Sequence, residues 1–239
     1  MIFGMTRRSD SLKPDFKLAY VKANTVLVTT EAITAFPFSS KAMVEARGDI
    51  RCKSYKQALK YGVDINDFGS ESAVLMEYHD KKIIFYDESK PLPHINFSNI
   101  HELGHDDMGH IMSKNISEEL YNKQEIETNF YAAQILMPEQ LLRHLQHHGV
   151  SITVPFLINN FGVSKLAAEK RITTLDKTNE EWRSTAEKEF DDIILFKYLP
   201  LIQHLCPYDP YDFEEEADLQ RTRDSWFSSY GFERGDTYN

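Results

Sequence analysis

His101-Glu102-Leu103-Gly104-His105, the stretch HELGH at residues 101–105, decides how this 239-residue chain is read. It fits the H-E-x-x-H pattern. On a helix, His101 and His105 lie four residues apart and project from one face. Two imidazoles so placed take two corners of a tetrahedral metal site, and Glu102 lies beside them as a carboxylate able to accept a proton from water. Three fixed positions are a thin signal alone. The surroundings must therefore supply a third ligand, a helix and a strand.

Upstream, residues 72–78 (SAVLMEY) and 82–86 (KIIFY) are rich in strand formers and flank His79-Asp80-Lys81, which predicts a β-hairpin. Pro91 and Pro93 frame a predicted loop, Ile95–Phe97 reads as a short edge strand, and Ser98 as the N-cap of the HELGH helix. Nearer the start, residues 16–33 predict a helix, broken by Phe36-Pro37-Phe38. Two short helices follow, Ser40 to Gly48 and Ser54 to Tyr61, with Gly62 as a stop.

Downstream, residues 118–137 (EELYNKQEIETNFYAAQILM) predict a helix closed by Pro138. Ile126, Phe130, Ala133 and Met137 recur at helical spacing and mark its apolar stripe. Glu118, Glu119, Glu125 and Glu127 are the carboxylate candidates for a third ligand. Glu127 flanks the stripe and shares a face with Tyr131 and Gln134. Glu125 is its rival, and spacing alone does not separate the two. The small Ala132 and Ala133 let this helix approach the HELGH helix closely.

The formal net charge of −10 argues against general nucleic-acid binding, which needs clustered Lys and Arg. Most of the excess sits at the end: residues 176–239 hold 7 basic and 16 acidic side chains. Only two cysteines occur, Cys52 and Cys206, far apart and not beside the histidines. That pattern fits reduced thiols in a cytoplasmic protein. No 18-residue apolar stretch and no signal peptide is evident, which also leads to a cytoplasmic expectation.

Residues 153–160, the turn Gly162-Val163-Ser164 and a helix to Leu175 have helix–turn–helix character, with Ser164 as cap. The second helix offers Lys165, Lys170 and Arg171 against Glu169, a thin basic surface for DNA. Residues 179–206 read as helical, and 207–239 as an acidic, aromatic tail carrying Trp226 and Phe227.

HELGH followed by EIETNFYAAQILMP (residues 125–138) resembles the ImmA/IrrE family of bacterial and phage zinc peptidases, whose members pair H-E-L-G-H with an E-A-N-x-F-A-A-x-L-L-M-P segment. Glu127, Asn129, Ala132, Ala133, Met137 and Pro138 fall on matching positions, Thr128 replaces the Ala and Tyr131 the Phe. KIIFYDE, INFSNIHELGH and FGVSKLAAEKRITTL are also similar, so the resemblance spans roughly residues 60–175. It implies His101, His105 and Glu127 as ligands of Zn²⁺, with Mn²⁺ an alternative ion, and Glu102 as general base. It also implies limited cleavage of a helix–turn–helix repressor. Asp106 and Asp107 depart from the apolar residues usual after the second His, and are expected to be exposed. His110 misfits a third-histidine spacing, which points to a structural role or one supporting a ligand. Tyr121, His94, His147 and His148 are candidates to stabilise an oxyanion.

The resulting expectation is an α+β fold with a zincin-like core: a small antiparallel sheet packed on the HExxH helix and the Glu-ligand helix, with added helices. Three regions are expected: a metallopeptidase domain at 1–150, a helical region at 151–206 and the tail at 207–239. The expected function is a zinc-dependent endopeptidase acting on a helix–turn–helix repressor. A peptidase-like component of a toxin–antitoxin module, or a DNA-binding regulator with a vestigial metal site, is the alternative.

Overall fold

The computed structural model describes residues 13–206, apart from 65, 67, 68, 70, 80, 112–115, 180 and 182, together with 218, 221–223 and 225. In chain order the elements are α1 Phe16–Thr29, α2 Ser40–Ala46, β1 Ile50–Ser54, α3 Tyr55–Ala58 with a 3₁₀ turn at Leu59–Tyr61, β2 Ala73–Tyr78 and β3 Lys81–Tyr86. Then come α4 Leu92–Asp107, α5 Glu118–Leu136, α6 Glu139–His147, α7 Val154–Phe161, α8 Lys165–Lys177, α9 Thr185–Lys188, α10 Asp191–Lys197 and α11 Leu199–Leu205. The architecture is α+β: helices around a small sheet.

The sheet has the order β1-β3-β2. β2 and β3 form the expected antiparallel hairpin, with Leu75 opposite Ile84, and His79 at its turn takes a positive φ of 46°. β1 pairs with β3 in parallel, Cys52 opposite Ile84, so the sheet is mixed rather than antiparallel. Ile50 and Cys52 are buried while Arg51 is exposed. That alternation is real but spans too few residues to distinguish a strand from a loop between helices. β3 is covered on both faces, which explains its unbroken apolar run. Ile84 joins the main core, whereas Ile83 and Phe85 pack with Tyr55 and Ala58 in a smaller cluster.

α4 begins earlier than expected. Residues 95–97 are helical, not a strand, and the helix starts just after Pro91, with Pro93 in its first turn, where a missing N–H costs nothing. Buried polar contacts hold this first half. Asn96 Oδ1 accepts from the amide and hydroxyl of Ser40 at 3.1 and 2.8 Å, and Asn99 Nδ2 donates to Ser40 Oγ at 3.2 Å.

α5 is capped by Ser117, whose hydroxyl accepts from the Leu120 amide. It packs on α4 through Gly104: a Cβ there would lie 2.9 Å from Tyr131 Cδ1 and 3.3 Å from Thr128 Cγ2. The glycine of HELGH is thus what lets the two helices touch. On its other side α5 packs against α1, whose buried Ala19, Ala23 and Leu27 form a stripe at helical spacing.

α7, the turn 162–164 and α8 form the expected helix–turn–helix pair, with Ser164 capping α8. One hydrophobic cluster runs from Ala19 in α1 to Ile202 in α11, with Leu157 and Phe161 of α7 inside it. Most of the acidic, aromatic tail, including Trp226 and Phe227, lies outside the described residues.

Candidate active site

α4 carries His101 and His105 one turn apart, and their Nε2 atoms lie 3.1 Å from each other. The carboxylate of Glu125 on α5 faces both rings, with Oε2 3.4 Å from His101 Nε2 and Oε1 3.3 Å from His105 Nε2. Burial pushes the Glu125 carboxyl up, but hydrogen bonds and charge from the two histidines outweigh it and hold it down at about 2. Thr128, one turn on, brings its hydroxyl to 3.3 Å from His101 Nε2. The two imidazoles and the Glu125 carboxylate thus face one another around one point.

Glu102 sits beside that point, only 8% exposed. Its Oε2 accepts the backbone N–H of Leu75 in β2 at 2.8 Å. Burial raises its carboxyl above the ordinary range, against the opposing charge of His101 and His105. Donor atoms of His101, Glu102 and His105 all lie within 4.8 Å of one another, the metal-type grouping found among the described residues.

The site opens into a cleft of about 820 Å³ lined by residues 71–75 along β2, by His94 and Phe97 of α4, and by Tyr121 and Gln124 of α5. β2 is an edge strand, so its outer side faces this cleft. His94 Nε2 contacts Ser72 Oγ at 2.8 Å. Two of the four oxyanion candidates, Tyr121 and His94, line the cleft. His147 and His148 lie instead at the end of α6, where His148 Nδ1 donates to the His144 carbonyl.

The carboxylate that faces the histidine pair is Glu125, not the Glu127 that the resemblance implied. Glu127 is two residues from Glu125, so the helix turns it to another side, and the structure does not bring it to the histidine pair. It is 2% exposed; its Oε1 accepts the Asp15 amide at 2.5 Å and its Oε2 faces His110 Nε2 at 3.0 Å. His110 Nδ1 in turn lies 3.1 Å from His105 Nδ1. Burial lowers the His110 ring to about 4, aided by charge on His105.

Asp106 and Asp107, expected to be exposed, are instead paired. Lys82 of β3 donates to Asp106 at 2.6 Å. Arg47 Nη1 reaches both Asp107 oxygens at 2.7 and 2.8 Å, and the buried Tyr131 hydroxyl donates to the same carboxylate at 2.5 Å. These pairs pin the end of α4 to the sheet, to the residue after α2 and to α5. In the helix–turn–helix pair, Arg171 is 1% exposed and donates to Gln134, so only Lys165 and Lys170 of the three cations reach the surface.

Two imidazoles and nearby carboxylates, gathered at a cleft on an α+β domain, are the donor set of a metal-binding hydrolase. Comparison with protein families agrees: the family model Peptidase_M78, described as the IrrE N-terminal-like domain, matches residues 58–173, just under half of the chain. That segment is therefore similar to the peptidase domain of the ImmA/IrrE family, which supports membership of that family. No curated protein and no solved structure matches it. No helix among the described residues is long and apolar enough to cross a membrane.

Proposed function

We propose that this protein is a zinc-dependent endopeptidase with a zincin-like core, in which His101, His105 and Glu125 hold the metal and Glu102 handles the proton. The observation that carries this reading is the convergence of both His Nε2 atoms and the Glu125 carboxylate beside Glu102. Nitrogen and oxygen donors of this kind suit Zn²⁺, and Mn²⁺ also accepts them. When bound, such an ion polarises the scissile carbonyl and makes water acidic enough to surrender a proton to a carboxylate.

The chain's own residues do the rest. An extended peptide pairs its main chain with the open edge of β2. Leu75 points its N–H out of the ladder to Glu102, and strand alternation places the polar groups of Ala73 on that same edge. Glu102, oriented through Oε2 by Leu75, takes the proton of the attacking water on its other oxygen and passes it to the leaving amine. Of the side chains lining the cleft, Tyr121 and His94 are the candidates to donate to the oxyanion.

The substrate class rests on kinship: limited, site-specific cleavage of a helix–turn–helix transcriptional repressor, in the cytoplasm. The test is incubation of the zinc-loaded protein with any helix–turn–helix repressor encoded beside it. Wild type should release defined fragments, whereas Glu102→Gln should keep zinc and fold yet release none. Cleavage by Glu102→Gln at the wild-type rate would remove the proposed base.

A further inference from the structure

Behind the ligand pair lies a second, largely covered line of hydrogen-bonding groups. Gly109 adopts a positive φ of 66° and closes α4: the Gly109 amide bonds to the Asp106 carbonyl and the His110 amide to the His105 carbonyl at 2.9 Å. That helix ending folds His110 back under His105. Their Nδ1 atoms meet at 3.1 Å, His110 Nε2 meets Glu127 Oε2 at 3.0 Å, and Glu127 Oε1 accepts the Asp15 amide at 2.5 Å. The side chains of His110 and Glu127 are only 7% and 3% exposed, so water is kept out of these contacts.

Each neutral imidazole has one N–H and one bare nitrogen, and a carboxylate only accepts. With the Glu127 carboxylate accepting at Oε2, the N–H of His110 lies on Nε2 and its Nδ1 is bare. A bare Nδ1 at 3.1 Å needs a donor, so His105 carries its hydrogen on Nδ1. With its hydrogen on Nδ1, His105 can offer Nε2 to a metal, as ligation demands; Glu125, 3.3 Å from that Nε2, competes for its hydrogen until the metal is bound.

We propose that Glu127, through His110, is the positioning residue that fixes the tautomer and ring orientation of His105, and that Asp15 at the start of α1 anchors it. This rests on the metal site proposed above. Glu127 thereby acquires a role without being a ligand. A buried carboxylate needs hydrogen-bond partners, and the Asp15 amide and His110 supply them, with Lys123 Nζ 3.9 Å away.

The test is zinc affinity of the purified, metal-stripped full chain, measured by competition with a chelator, alongside long-range ¹H–¹⁵N NMR of the histidine rings. His110→Ala and Glu127→Gln should each weaken zinc about 10- to 100-fold, the range for lost partners of ligand histidines. His110→Asn keeps an acceptor near the Nδ1 position and should lose less than His110→Ala, a graded loss that a merely structural residue would not give. In zinc-loaded wild type the His105 Nδ1–H should exchange slowly with solvent, held by His110, and in His110→Ala it should exchange fast. Wild-type affinity and unchanged exchange of that N–H in variants that keep the fold would overturn the relay and leave the metal site standing. Complete loss of zinc in Glu127→Gln, with retention in Glu125→Gln, would make Glu127 a ligand and overturn it too. Failure of the wild type to bind zinc would overturn the metal site itself, and the relay with it.

Discussion

Substituting Gly104 probes what sets the distance between the helix of the histidine pair and the helix of Glu125. A methyl group there would lie 2.9 Å from Tyr131 Cδ1 and 3.3 Å from Thr128 Cγ2, and Tyr131 is fully buried with its hydroxyl tied to Asp107. Two effects compete. Replacing a mid-helix Gly by Ala stabilises by about 1 kcal/mol. Forcing a methyl into a filled interface costs about 1–3 kcal/mol. Gly104→Ala alone should therefore lose about 0–2 kcal/mol, a sign too soft to decide anything. A double-mutant cycle with Tyr131→Val removes the propensity effect, since it is the same in both backgrounds. With the ring gone, Gly104→Ala should become neutral or stabilising, giving a coupling of about 1–2 kcal/mol. The assay is urea denaturation of the metal-free protein followed by circular dichroism. Coupling below about 0.5 kcal/mol would mean that Tyr131 does not limit the approach, and that Gly104 is not what seats α5 on α4.

Two further outcomes follow from charged groups away from the cleft. Arg47→Ala leaves Asp107, mostly covered, with only the Tyr131 hydroxyl; it should destabilise by about 1–3 kcal/mol after allowance for partial exposure, and much of that should return in Arg47→Ala/Asp107→Ala, both read by denaturation. Lys197 is brought down to about 8 by burial, with its Nζ donating to the carbonyls of Leu27 and Thr30. Its folded form favours the neutral amine, so stability should rise with pH between about 8 and 10.5, by up to about 1.4 kcal/mol per unit. Lys197→Met should show a flatter stability profile across that window than wild type.

The parts of the site legible in the sequence are those governed by local spacing. His101 and His105 meet because a helix brings residues four apart onto one face. The hairpin and the α7–α8 pair follow from short-range patterns in the same way. The choice between Glu125 and Glu127 is not local. It depends on how α5 is rolled over α4, and that is set by Gly104 meeting Thr128 and Tyr131. Glu127 finds its partner in the amide of Asp15, 112 residues away, which no periodicity could reveal. Likewise Asp107 looked free because its cation, Arg47, lies 60 residues back in the chain. One signal for His110 was present: Gly109 before it is the residue that ends a helix and folds the next side chain back.

The most direct measurement of the metal site is anomalous diffraction from crystals soaked in zinc, collected on either side of the zinc edge. The expected result is one strong peak bonded by His101 Nε2, His105 Nε2 and the Glu125 carboxylate, with Glu102 beside it and Glu127 still on His110. A peak ligated by Glu127, or none between the two histidines, would contradict it.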